Sequence, residues 1–137
     1  MDGRIRRARP DRMPLVSDIN GRIVLVDDDA ALREALRFSL EIEGYQVDTC
    51  ETGEELVAHA LPGTDACLVV DYKLGGISGL DALETLRARG VALPAILITS
   101  NPTPSTRARA QRNRAIIVEK PLLGDLLVAK IRDALAA

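Results

Sequence analysis

Aromatic side chains are nearly missing from this sequence: two Tyr, one Phe and no Trp make up 2 % of 137 residues. That scarcity argues against a nucleic-acid surface that stacks bases on rings. It also means that a core must be built from Leu, Ile, Val and Ala, within the 47 % of the chain that is hydrophobic. Cysteine is scarce as well. Cys50 and Cys67 each sit in or beside an apolar run, and two Cys without an adjacent His cannot make the usual zinc site. Two buried, reduced thiols are the expectation, as in a cytosolic protein. No apolar run approaches the ~20 residues of a membrane span. The N-terminus carries Arg but not the apolar stretch of a secretory signal. The expected location is therefore cytoplasmic, without membrane contact. Charge of one sign is lacking too: the net charge is −2. Residues 1–20 sum to +2 and residues 21–137 to −4, and so mildly acidic a body argues against nucleic-acid binding by this domain.

What is present is an alternation that begins at residue 22. Ile23-Val24-Leu25-Val26 is a short, β-branched apolar run that stops at acids. Leu32, Leu36 and Leu40 recur at i+4 and predict a helix over 30–43, with Gly44 just past its end. Residues 45–50 alternate and read as an edge strand. Thr52 and Glu55 have the spacing of a capping box for a helix over about 53–60. Ala66-Cys67-Leu68-Val69-Val70 is the second apolar run, ending in Asp71. Ser78 and Asp81 repeat the cap spacing, and the helix that follows carries Leu80, Leu83 and Leu86 and stops near Gly90. Pro94 to Ile98 is the third run, ending in Thr99. Thr103-Pro104 reads as an N-cap with Pro at the first helical position. Ile116-Ile117-Val118 is the fourth run, ending in Glu119-Lys120-Pro121, and Leu127, Ile131 and Leu135 mark a last helix.

Strands alternating with helices imply a parallel sheet covered on both faces, a doubly wound α/β fold of five βα units. The expected division is a flexible, Arg-containing extension over 1–20 and one domain over 21–137, with no second domain after the last helix.

In such a sheet, ligands bind outside the carboxyl ends of the strands. The residues delivered there are Asp27-Asp28-Asp29, Asp71, Thr99-Ser100 and Lys120. Taken singly, each has an ordinary explanation: an acid triplet is a solvated turn plus a helix cap, with Asp29 the capping residue, and Lys-Pro is a turn. Their joint placement at successive strand ends points further. Carboxylates gathered in one place repel unless a cation lies among them, and oxygen ligands of this kind suit Mg²⁺. The ammonium of Lys120 and the hydroxyl of Thr99 can stabilise a transferring phosphoryl group. A carboxylate can itself be the nucleophile. The residues thus suggest Mg²⁺-assisted phosphoryl transfer onto one Asp.

Val26-Asp27-Asp28-Asp29, Val70-Asp71 with Gly79 eight residues later, Ile98-Thr99-Ser100 and Glu119-Lys120-Pro121 together resemble the receiver domain of two-component response regulators. The likeness covers residues 22–135. It implies a flavodoxin-like, CheY-like sheet of order 2-1-3-4-5, Asp71 as phosphoacceptor, and Asp27 and Asp28 as the acid pair at Mg²⁺, with Asp28 the direct ligand. It further implies the backbone carbonyl of Lys73 as a metal ligand, Thr99 and Lys120 acting on the phosphoryl group, and a cis Lys120-Pro121 peptide. The implied donor is a sensor histidine kinase or a phosphotransfer protein. The implied product is a phosphoprotein that assists its own phosphotransfer and dephosphorylation without being an enzyme in the usual sense.

The sequence departs from that pattern in places. Gly75, followed by Gly76, stands where the family usually has Pro, so a looser loop is expected there. Ile117 stands where an aromatic ring is usual. Asn113-Arg114 replaces a Gly-Ala pair, and Asn113 can take the left-handed backbone conformation that the Gly supplied. The stretch from Thr99 to Lys120 is about one residue short, which puts the fourth helix and the usual switch in question. Arg107, Arg109, Arg112 and Arg114 cluster there, read either as a solvated face or as a contact for an acidic partner; His59 reads as plain surface. The leading function is a stand-alone regulator that signals by protein contact to an unknown downstream protein, with a homodimer left open. The competing readings are the N-terminal part of a longer DNA-binding transcription regulator, a receiver used only as a binding module, and a flavodoxin-like cofactor binder. The full set of Asp27, Asp28, Asp71, Thr99 and Lys120 counts against the binding module, and the lack of a glycine-rich phosphate loop counts against the cofactor binder.

Overall fold

The structure, a computed structural model, describes residues 20–122 and 125–136. The expected N-terminal extension lies outside the described residues apart from Asn20. The elements are β1 (Gly21–Val26), α1 (Ala30–Ile42), β2 (Tyr45–Cys50), α2 (Gly53–Ala58), β3 (Ala66–Asp71), α3 (Gly79–Ala88), β4 (Ala95–Thr99), α4 (Pro104–Arg112), β5 (Ala115–Glu119) and α5 (Leu126–Ala136). All five strands are parallel, in the order β2-β1-β3-β4-β5. This is the flavodoxin-like arrangement that the resemblance implies.

The period of two along each strand divides the core into two layers. Val24, Val26, Leu68, Val70 and Leu97 face α2, α3 and α4, where Leu56, Leu80, Leu83, Leu86 and Ala110 meet them. Ile23, Leu25, Val69, Ile96 and Ile98 face α1 and α5, against Leu40, Leu127 and Ile131. β3 lies at the centre and every one of its residues is buried. Cys50 and Cys67 are free and buried, and loss of hydration pushes their thiols up to about 11 and about 12.

Helix boundaries follow local chemistry. Asp29 Oδ1 accepts from Leu32 N and caps α1, and Gly44 follows at φ +97°. Both predicted capping boxes form, Thr52 with Glu55 and Ser78 with Asp81. Thr103 caps α4, with Pro104 in its first turn.

Several details differ from the sequence reading. α2 ends at Ala58, where His59 turns to extended backbone and its Nε2 lies 3.3 Å from Asp48 Oδ2, so His59 is paired rather than plain surface. The apolar run of β5 is not wholly buried: β5 is a sheet edge and Ile116 is 43 % exposed. α4 forms despite the short segment. Asn113 does not take the left-handed conformation; Arg114 does, at φ +55°. The reason lies in two hydrogen bonds, one within α4 and one from α3. Asn113 continues the helical turn, with its Nδ2 donating to Arg109 O at 2.8 Å and its carbonyl accepting from Arg87 Nε at 2.8 Å, so the reversal falls one residue later. Arg107 and Arg109 do not present free guanidinium groups, because Arg107 pairs with Glu119 at 2.8 Å and Arg109 with Glu84 at 2.8 Å and Asp81 at 3.0 Å.

These contacts give opposite expectations for neighbouring positions. Arg114→Gly relieves a left-handed Cβ and is expected to raise stability by about 0.5 kcal/mol after the extra chain entropy of Gly is set against it. Asn113→Gly keeps the carbonyl that Arg87 reaches but loses the Nδ2 bond to Arg109 O, and is expected to lower stability. Urea unfolding of the two variants measures the signs, and a gain at 113 with a loss at 114 would contradict this assignment of the helix end.

Candidate functional site

The carboxyl ends of β1, β3, β4 and β5 bring the expected residues together. After β1 the chain turns sharply: Asp27 N donates to Cys50 O at 3.2 Å, Asp27 Oδ1 accepts from Asp29 N at 2.9 Å, and Arg33 Nη1 donates to Asp27 O at 2.6 Å. Asp27 is thereby held inside, 4 % exposed. Asp28 is left exposed, and among the described residues its carboxylate accepts no hydrogen bond. Asp29 is spent on the helix cap.

Asp71 closes β3, with its backbone paired against Ile98 of β4 and its side chain 4 % exposed. Gly79 explains how the chain after it returns. Gly79 N donates to Tyr72 O at 2.9 Å, and a Cβ on Gly79 would overlap the Asp71 carbonyl oxygen and Val70 Cγ1. Only glycine allows this close approach. Carboxylate oxygens of Asp27, Asp28 and Asp71 lie within 4.8 Å of one another.

The cationic side is Lys120, directly after β5, whose Nζ lies 3.0 Å from Asp71 Oδ1. Lys120 N donates to Thr99 O at 2.9 Å, which ties the ends of β4 and β5, and the Lys120-Pro121 peptide is cis. The ammonium contact is an ion pair without hydrogen-bond geometry, and Asp71 Oδ1, fully buried, accepts no hydrogen bond among the described residues. Burial raises the Asp71 pKa above the usual carboxylate value; the contact and charge of Lys120 pull against this, and Asp27 and Asp28 add to the rise. Burial works against the charge on Lys120, but Asp71, Asp27 and Asp28 outweigh it and the ammonium is held more firmly protonated than usual.

A cleft of about 440 Å³ opens over Asp71 and is lined by Lys73, Thr99, Thr103, Arg109 and Lys120 among others. Thr99 is 5 % exposed, and among the described residues its hydroxyl makes only a long contact, 3.4 Å, with Ser100 O. Lys73 sits in the loop after β3 with its side chain exposed, and among the described residues no hydrogen bond ends on its carbonyl. The site therefore offers two buried carboxylates and one exposed, an ion-paired oxygen without a hydrogen bond, one ammonium and one loosely held hydroxyl. This donor set is all oxygen on the acidic side and fits Mg²⁺.

Sequence reasoning did not find Arg33, which braces the Asp27 turn, or the tie between Arg109 and the acids of α3. Arg33 lies six residues after Asp27 and bonds to its backbone, a contact that no side-chain pattern announces. The partners of Arg109 lie 25 and 28 residues away on another helix.

Comparison with known proteins gives the same picture. The response regulator receiver domain family model matches residues 23–132. The C4-dicarboxylate transport transcriptional regulatory protein DctD of Pseudomonas aeruginosa is 33 % identical over 119 residues, covering 86 % of this chain and 26 % of that protein. The transcriptional regulatory protein FixJ of Bradyrhizobium diazoefficiens is 31 % identical over 117 residues, covering 84 % of this chain and 57 % of that protein. The chain thus spans between a quarter and somewhat over half of these relatives. Among solved structures, the response regulator StyR superposes with a TM-score of 0.76 at 30 % identity over 85 % of this chain and 60 % of that one. The response regulator TrrA of Thermotoga maritima, solved in complex with Mg²⁺-BeF, gives 0.71 at 29 % identity over 84 % of this chain and 99 % of that one.

The close approach at Gly79 makes a direct test of the site's scaffold. Gly79→Ala is expected to displace the end of β3 and destabilise the domain by about 1–3 kcal/mol, whereas Gly75→Ala, whose Cβ would meet open space, should not. Equal thermal midpoints for the two variants would refute the constraint.

Proposed function

Since the chain belongs to the response regulator receiver-domain family, we propose that Asp71 accepts a phosphoryl group from the phosphohistidine of a sensor histidine kinase or a phosphotransfer protein. Members of this family are phosphoacceptors of two-component systems rather than classical enzymes, and they bind Mg²⁺ at an acidic pocket. The observation that carries the reading for this chain is the convergence of buried Asp71 with Asp27, Asp28 and Lys120 at one point of the sheet edge.

Asp27, Asp28, Asp71 and the Lys73 carbonyl would hold Mg²⁺, with Asp28 the direct ligand of the acid pair and Asp27 also fixing the turn. The bound cation supplies positive charge where three carboxylates meet. An Asp71 carboxylate oxygen forms the new bond to phosphorus while the donor's P–N bond breaks; its electron pair leaves on the imidazole nitrogen, which takes up a proton. Lys120 and Thr99 then face the phosphoryl oxygens, the first as a charge and the second as a hydroxyl donor. The same groups assist the later hydrolysis, in which water breaks the O–P bond and restores the carboxylate.

Downstream, the chain acts as a stand-alone regulator that signals by protein contact, with residues 21–137 as the receiver unit and 1–20 as an extension. The mild acidity of residues 21–137 supports protein rather than nucleic-acid partners. Among the described residues no helix is long and apolar enough to cross a membrane. Ile117, half-buried against the α3 and α4 side of the core, offers no ring to turn inward. Activation therefore runs through Thr99 and the loop that follows it.

Incubation with a small phosphodonor and Mg²⁺ is expected to add one phosphoryl group, seen by intact mass, and Asp71→Asn is expected to add none; undiminished labelling of that variant would overturn the assignment. Mg²⁺ at a hundred times its Kd is expected to stabilise the wild type by about 2.7 kcal/mol and Asp28→Ala hardly at all. An equal rise in thermal midpoint for both would place the metal elsewhere.

A further inference from the structure

The loop after Asp71 carries the Gly75-Gly76 pair, a sequence with little conformational preference of its own. It is nonetheless held. Gly79 N closes it onto Tyr72 O at 2.9 Å. Ile77 packs so tightly over α2 that a Cβ on Gly53 would lie 2.7 Å from Ile77 Cγ1. Between these anchors, Glu54 Oε2 accepts from Ile77 N at 3.2 Å, and the Glu54 carboxylate lies flat against Gly76, where a Cβ would come within 2.6 Å of Oε2. Gly76 has φ +81°, so the chain passes the carboxylate in a conformation that only glycine adopts readily. Glu54 belongs to the first turn of α2, whose position the Thr52–Glu55 capping box fixes independently.

We propose that Glu54 is a positioning residue for the metal site: by clamping Gly76 and Ile77 from α2, it holds the loop from Tyr72 to Ser78 so that the Lys73 carbonyl is presented beside Asp71 before the cation arrives. The inference rests on the reading of Asp28, Asp71 and Lys73 as Mg²⁺ ligands. Its physical content is pre-organisation. A loop that samples many conformations binds with its affinity reduced by the fraction of time it is competent, and outer-shell groups that orient a ligand are worth about ten-fold or more in metal affinity. Glu54 takes the part that a rigid residue at position 75 would play. Gly75 can accept such a residue, since its φ is not in the left-handed range, a Cβ there meets open space, and among the described residues its N–H donates no hydrogen bond.

The test is Mg²⁺ titration by calorimetry on the full chain, with amide exchange at Gly76 and Ile77 measured without metal. Glu54→Ala is expected to weaken Mg²⁺ binding about ten-fold and to speed exchange at Ile77. Glu54→Gln keeps an acceptor oxygen and is expected to stay near wild type, as is the double variant Glu54→Ala with Gly75→Pro, in which ring closure restricts the loop instead. If Glu54→Gln weakens binding as much as Glu54→Ala, the carboxylate acts by charge at a distance and the clamp is wrong. If Glu54→Ala binds like wild type while Asp28→Ala does not, the clamp is wrong and the metal site stands. If Asp28→Ala itself binds like wild type, the underlying reading of the site fails.

Discussion

The placement of the Asp71 carboxylate at the end of a wholly buried strand, within reach of two more carboxylates, is the constraint around which the rest of the site is arranged. Charges of like sign within 4.8 Å of one another repel by about 3 kcal/mol or more even at an effective dielectric of about 20. One ammonium, that of Lys120, faces all three acids. The balance is left negative, and the buried Asp71 Oδ1 accepts no hydrogen bond. Such a site lowers its energy in two ways, by taking up a divalent cation or by converting Asp71 to a species whose charge sits further out. The proposed chemistry uses both.

Keeping that carboxylate in place requires a backbone that can be packed closely without spending buried polar groups. The register of β3 against β4 puts Asp71 opposite Ile98, and Tyr72 N donates to Ile98 O at 2.8 Å. Gly79 lets α3 begin directly against the Asp71 carbonyl. On the β1 side, the turn through Asp27, Asp28 and Asp29 divides three identical residues among three tasks by geometry alone: Asp27 is turned inward by its own loop hydrogen bonds, Asp28 is left free, and Asp29 caps α1. Burial and partner choice, rather than residue type, set these roles.

The strands, the caps and the convergence of the candidate site residues were legible because each leaves a short-range mark. A strand buried on both faces reads as an apolar run, a capping box is a three-residue spacing, and site residues fall where the apolar runs stop. What escaped is set by tertiary contact. The apolar run of β5 suggested full burial, yet nothing local records that β5 is a sheet edge with Ile116 exposed. The exchange of roles between Asn113 and Arg114 depends on Arg87 reaching from α3 to the Asn113 carbonyl. His59 finds Asp48 across the gap between helix and strand. The four arginines near α4 looked like one surface, but two of them serve internal pairs.

Those pairs bear on how α4 is held. α3 buries five residues, Gly79, Leu80, Ala82, Leu83 and Leu86, whereas α4 buries only Thr106 and Ala110. Burying one Ala and part of one Thr supplies little of the ≈ 1.5–3 kcal/mol that a single buried Leu gives. The position of α4 therefore rests on polar ties: the forked contact of Arg109 with Glu84, its second contact with Asp81, Arg107 with Glu119, and Arg87 on the Asn113 carbonyl. Glu84 and Asp81 are held below their usual pKa by Arg109, which fits groups whose charged form is engaged. Ties of this kind are half in water, so each contributes modestly and can be exchanged for another without opening a core. The Thr99 end of β4 leads through a loop with Pro102 and Pro104 straight into this weakly anchored helix. Of the helices flanking β4, α4 is thus held less by buried apolar surface than α3, and the Arg109 fork is what joins the two.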